Sequence, residues 1–156
     1  MTTLRLSGSL IIERGAEDLY DMVADVTRMG EWSPICKACW WDEGYGPEVG
    51  SWFTGRNVTV ERTWETRSRV SVAERGREFS FVVGGTHVQW RYTFEPIGDA
   101  TRVTELWDLL PEGVTYFEGR FGDDAPERIA ARSEDARLGI PATLAAIKSA
   151  AESSQG

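Results

Sequence analysis

Histidine is almost absent from this 156-residue chain, and cysteine is scarce, with one and two copies respectively. Zinc sites draw about four ligands from Cys, His and carboxylates, so no metal centre is expected. The single His87 follows the Gly84-Gly85 pair and has outward strand parity. It is expected to be an exposed strand residue, which leaves a Ser-His-Asp hydrolase without its base. Basic charge is also short: 17 Lys and Arg stand against 25 Asp and Glu, a net charge of −8. Such a surface does not suit nucleic-acid phosphates. No apolar run approaches the ~20 residues of a membrane helix, and Met1 to Leu10 lacks the layout of a secretory signal. A cytoplasmic protein without membrane insertion is expected. The glycines form no G-x-G-x-x-G opening a helix, so no dinucleotide site and no cofactor is expected.

Two local patterns resist those exclusions. Cys36-Lys37-Ala38-Cys39 spells C-x-x-C. On a regular strand, positions three apart point to opposite faces, which spoils chelation and a tight disulfide alike, so two ordinary reduced thiols are expected. Six arginines fall between Arg56 and Arg77. Arg67, Arg69, Arg75 and Arg77 fit the outer sides of strands and read as a solvated face.

What the chain has in quantity is large rings, seven of them tryptophan. From Thr86 the residues alternate: Val88, Trp90, Tyr92 and Phe94 on one side, His87, Gln89, Arg91, Thr93 and Glu95 on the other. Period-two alternation marks a strand with one buried and one wet face, as antiparallel sheets allow. Strands are predicted over residues 4–13, 35–42, 51–57, 64–73, 78–83, 88–95 and 102–109, with glycine-rich turns between the later ones. Leu19, Met22, Val23 and Val26 mark a helix over 16–26, and Met29 to Trp32 adds a turn before Ser33-Pro34. Pro111 to Asp124 reads as a loop carrying Tyr116, Phe117 and Phe121. A long helix follows to about Glu152, with Ile129, Ser133, Ala136, Ile140, Leu144, Ile147 and Ala151 as its inner stripe. Pro141 is expected to kink it. That stripe is small in its first half, which is either complementary packing against aromatics or room for a cavity. No repeat or second domain is visible, so residues 1–156 are read as one domain.

The element order, together with a set of local sequences, resembles the polyketide cyclase/dehydrase-like branch of the START/Bet v 1 superfamily, the SRPBCC or helix-grip fold, in its actinobacterial form. The stretches that carry the resemblance run from Asp25-Val26 to Glu31-Trp32-Ser33-Pro34, and from Val49-Gly50-Ser51 to Gly55-Arg56-Asn57. Others are Arg62-Thr63-Trp64, Arg77 to Val83, Trp90-Arg91-Tyr92 and Thr101 to Glu105. The resemblance implies an α+β fold: an antiparallel six- or seven-stranded sheet curved around the long C-terminal helix, with a short helix pair after the first strand. It also implies a deep apolar cavity that takes lipid-, sterol- or polyketide-like molecules. The Pro111 to Asp124 segment varies among such proteins, so the mouth is not carried over.

Strand parity places Trp64, Thr66, Ser68, Val70 and Val72 on the inner face, then Phe79, Phe81 and Val83, then Trp90 and Tyr92. On the last strand Val103, Glu105, Trp107 and Leu109 go inward. Glu105 is the candidate catalytic residue: desolvation raises a carboxyl's pKa and suits it to acid/base work. It is equally a structural partner of an arginine or tyrosine, or a residue of the wet rim. Asn57, inward if Phe53 is, can bond a ligand or cap a turn. Trp32 lies near the first crossover, and only one of Trp40 and Trp41 can face in. The expected ligand-binding set is thus Trp32, Asn57, Trp64, Ser68, Phe79, Phe81, Trp90, Tyr92, Glu105 and Trp107. The expected partner is a small hydrophobic or aromatic molecule, with nothing in the residues to set an oligomeric state. The alternatives are a cyclase or dehydratase using Glu105, and a co-chaperone whose groove grips a protein.

Overall fold

The computed structural model describes residues 4–44 and 46–153. Seven strands form one sheet: β1 (Arg5–Ile12), β2 (Cys36–Trp41), β3 (Trp52–Val58), β4 (Thr63–Glu74), β5 (Glu78–Val83), β6 (Val88–Ile97) and β7 (Ala100–Leu109). Their order is β1-β7-β6-β5-β4-β3-β2, and every neighbouring pair is antiparallel. Strands two to seven therefore form a meander, and the first strand returns to pair with the last. Between β1 and β2 lie α1 (Ala16–Ala24) and a 3-10 segment, Val26–Glu31. The Asp25 side chain accepts from the Thr27 amide and redirects the chain there. The expected helix pair is present, tighter in its second half than an α-helix.

The long C-terminal helix α3 (Ala125–Ser153) buries the expected stripe from Ile129 to Ala151, with Ala125 and Thr143 added. It continues through Pro141, which sits on the exposed side, where a carbonyl that loses its helical bond reaches water. Gly8 on β1 lets α3 approach the sheet, because a Cβ there would lie 2.9 Å from Ile140 Cγ2. Tyr20 of α1 meets Phe79 and Phe94 edge-on at 6.2 and 5.9 Å, so α1 seals one end of the inner sheet face with aromatic packing.

Three expectations are corrected by the fold. Residues 111–121 form a helix, α2 (Pro111–Phe121), not a loop. Pro111 stands in its first turn, where its missing N–H costs nothing and its φ is already helical, and Glu112 complements the dipole. Glycine content masked that signal. Val72 does not share the inner face, because the register slips between Val70 and Val72. The bulge at Ser71 turns Val72 outward opposite Ser80 and brings Ala73 in opposite Phe79. A second slip between Cys36 and Ala38 overturns the expectation that the two cysteines diverge. Lys37 is the extra residue, so Cys36 and Cys39 lie opposite Asn57 and Gly55, two inward positions of β3.

Candidate functional site

Between the sheet and the first half of α3 lies an open cavity of about 870 Å³. Its presence follows from side-chain size. Past Arg128, Arg132 and Asp135 near its start, α3 turns only Ala136, Gly139 and Thr143 toward it, one helical face spaced by three and four residues, while the bulkier Leu144 and Ile147 pack into the core beyond. The small first half of the stripe thus leaves space rather than filling it.

The sheet supplies the opposite wall in cross-strand rows. Phe81, Trp90 and Trp107 are direct neighbours on β5, β6 and β7, and Tyr92 stands opposite Glu105. Phe53, Gly55 and Asn57 come from β3, paired with Ser68, Thr66 and Trp64 of β4. All of these line the cavity. Trp107 is buried and Trp90 only half-buried, so the first is also a core residue. Asn57 donates from Nδ2 to Thr66 Oγ1 at 3.1 Å, which fixes the amide without using its carbonyl.

Glu105 and Tyr92 are the polar pair of the deep wall. The Tyr92 hydroxyl donates to Glu105 Oε2 at 2.8 Å. Glu105 is 2% exposed, and its Oε1 has no hydrogen-bond partner among the described residues. Desolvation pushes the carboxyl up to about 8, against the opposing effect of the tyrosine bond. The phenol is also raised, by its burial and by Glu105. At pH 7 the pair is therefore neutral. One carboxylic acid, able to donate and to accept, is left with an unused oxygen on an aromatic wall.

Cys36 and Cys39 face the same cavity. Both sulfurs sit over Gly55, 3.2 and 3.7 Å from where a Cβ would stand. Both are free thiols, hydrogen-bonded to each other, which lowers Cys36 and raises Cys39. His87 also departs from expectation. It lies in the turn before β6, half-buried, and its ring stacks on Tyr116 of α2 at 4.2 Å. Desolvation lowers its pKa, so it is neutral at pH 7, at the rim of the cavity.

The mouth is built from α2, the start of α3 and the β3–β4 turn. Phe117 and Phe121 of α2 reach the cavity together with Arg62, Arg120, Arg128 and Arg132. The guanidinium carbons of Arg62 and Arg132 lie 4.4 and 4.5 Å from the Trp64 ring centre. Those of Arg120 and Arg128 lie 5.3 and 4.7 Å from that of Phe121.

Two expected residues are elsewhere. Phe79 is fully buried beneath Tyr20, because α1 covers that end of β5, and it does not reach the cavity. Trp32 is 4% exposed, with Arg28 over its ring, and belongs to the core of the crossover. Neither Trp40 nor Trp41 lines the cavity: Trp40 is exposed, and Trp41 packs on Phe53 at 5.6 Å. The thiol pair, His87 and the arginine mouth were not legible as site residues. The bulge in β2 hid the thiols, and the helix α2 in place of an expected loop hid the mouth.

Residues 3–151 match the model of a family described as polyketide cyclase/dehydrase and lipid transport. No curated protein sequence matches the chain. Among solved structures, a polyketide cyclase-like protein of Corynebacterium glutamicum is 47% identical, with a TM-score of 0.71, the alignment covering 97% of this chain and 93% of that one. The di-domain aromatase/cyclase of the steffimycin biosynthetic pathway is 14% identical, with a TM-score of 0.69 over 98% of this chain and 52% of that one. A major latex-like protein of Panax ginseng is 13% identical, with a TM-score of 0.58 over 85% and 95%. These last two likenesses concern the fold. With the family model spanning nearly the whole sequence, the chain belongs to the polyketide cyclase/dehydrase and lipid transport family.

Proposed function

We infer that this protein binds a small, mainly apolar molecule between the sheet and α3, with the Glu105–Tyr92 pair as its polar anchor. The observation that carries the reading is the unused Glu105 Oε1 on the wall of an aromatic cavity of about 870 Å³. That volume and lining are the usual form of small-molecule sites. A buried polar atom without a partner costs about 1–3 kcal/mol, which a ligand carbonyl or hydroxyl would relieve. A neutral acid bonds such groups without the desolvation that a carboxylate would suffer on binding.

The enzyme reading, a cyclase or dehydratase, rests on the same residue. An acid raised to about 8 is poised to give or take a proton near neutrality. The neighbour from the steffimycin pathway is named as an aromatase/cyclase, and this reading would place the present chain in that class of chemistry. Binding is preferred because the deep wall offers a single carboxyl beside a phenol, Glu65 and Asp135 being engaged by Arg56 and Arg132, while His87 is turned to Tyr116 at the rim. The two readings separate in Glu105→Gln, which keeps the shape and a donor and acceptor but cannot titrate. For a binder, affinity at pH 6–7 stays within a few-fold of wild type. For an enzyme, turnover of an extracted or supplied polyketide-like substrate falls by about 10²–10⁴ while affinity holds.

A further inference from the structure

The four arginines of the mouth are the part of the site that an apolar ligand does not explain. This inference rests on the cavity reading above and adds the charge of the ligand's outer end. The chain as a whole carries −8, yet its cavity opens between guanidinium groups contributed by three separate segments. Arg128 and Arg132 stand four residues apart on one face of α3, a spacing at which like charges repel. Arg62 and Arg132 share the Trp64 ring. An acidic neighbour neutralises only one member of the group. Arg132 is ion-paired with Asp135 at 2.9 Å, and Asp135 lines the cavity beside it. Glu65 is paired with Arg56, and Glu61 acts on Arg132 through space. Arg62, Arg120 and Arg128 have no ion pair among the described residues. Burial, Arg62 and Arg128 all weaken the hold of Arg132 on its proton, with Asp135 and Glu61 acting the other way.

A guanidinium lying against an aromatic ring has its flat side covered and keeps its in-plane N–H groups free. Two rings hold two guanidiniums each in this way at one opening. We propose that the mouth is an oxyanion subsite: the ligand is amphipathic, with an apolar or aromatic body in the cavity and a carboxylate or phosphate at the end that stays between these arginines. Arg62 and Arg132 take the inner side of that group, and Arg120 and Arg128, both exposed, take the outer side. Fork-shaped donors suit planar or tetrahedral oxyanions.

The test compares three probes of one shape, 2-naphthoate, 2-naphthyl phosphate and 2-naphthalenemethanol, titrated against tryptophan fluorescence at pH 7. At least one anion is expected to bind about tenfold or more tightly than the alcohol at low salt, the advantage shrinking as salt rises. Arg128→Gln with Arg132→Gln should bring the ratio close to one. Arg120→Gln with Arg128→Gln touches only exposed side chains, so it reads the same loss without threatening the fold. A ratio of one in the wild type, or an unchanged ratio in both double variants, overturns the oxyanion subsite while the cavity reading stands. If none of the three probes binds, both fail together.

Discussion

Glu105 concentrates the consequences of burying one carboxyl among rings. Its folded pKa of about 8 lies above the ordinary value of 4.5, so between those limits the folded chain holds a proton that the unfolded chain releases. The sign follows from linkage: this residue's contribution to stability is complete below about pH 4.5 and is lost as pH rises toward 8. Chemical denaturation at pH 5, 6.5 and 8 should show wild type losing stability relative to Glu105→Gln across that range. Parallel curves would place the carboxyl in contact with water. Cys36 and Cys39 make a second prediction at this scale. With Cys36 lowered and Cys39 raised by their mutual hydrogen bond, a small alkylating agent should modify Cys36 first, read by peptide mass, and a bound ligand should slow it. The inward side of Glu105 was legible because β7 alternates without interruption from Val103 to Leu109. The thiols were not, because a strand bulge leaves no mark on residues as unremarkable as Lys37 and Ala38.

Elements differ in how plainly their residues announce them. β5 and β6 declare themselves by alternation, and α3 by the inner stripe from Ile129 to Ala151. In α2 a first-turn proline was outweighed by Gly113 and Gly119, which lower helix propensity. Gly113 has a packing reason: it is buried, and a Cβ there would lie 2.2 Å from the His87 carbonyl oxygen and 2.7 Å from Leu109 Cδ1. That contact docks α2 on the turn before β6 and sets the mouth. Gly113→Ala should therefore cost about 1–3 kcal/mol, measured as a lower melting temperature, or else release α2. Faster amide exchange over 111–121 than over β6 and β7 would identify the second outcome. A variant with wild-type stability and exchange would mean that α2 does not seat on His87.

At the scale of the whole molecule, a bent antiparallel sheet and one long helix leave space wherever the helix carries small side chains. The sheet order and the long helix follow from alternation, turn glycines and the 3.6-residue stripe, all of which act locally and so are written locally. The division of the inner face into core and cavity was not legible. Phe79 and Phe81 have the same parity, and only the docking of α1 covers the first and leaves the second open. The same partition makes Trp107→Ala a core truncation, expected to cost about 3–5 kcal/mol. Trp90→Ala, at a half-buried ring, should cost less and act mainly on affinity. The seven tryptophans offer the most direct test that the cavity takes a ligand. In an indole N–H spectrum of ¹⁵N-labelled protein titrated with 2-naphthalenemethanol, the signals of Trp64, Trp90 and Trp107 should shift together with one dissociation constant. Those of Trp32, Trp40, Trp41 and Trp52, which do not line the cavity, should stay in place. No shift at saturating probe, or shifts confined to the second group, would contradict the assignment of this cavity as the binding site.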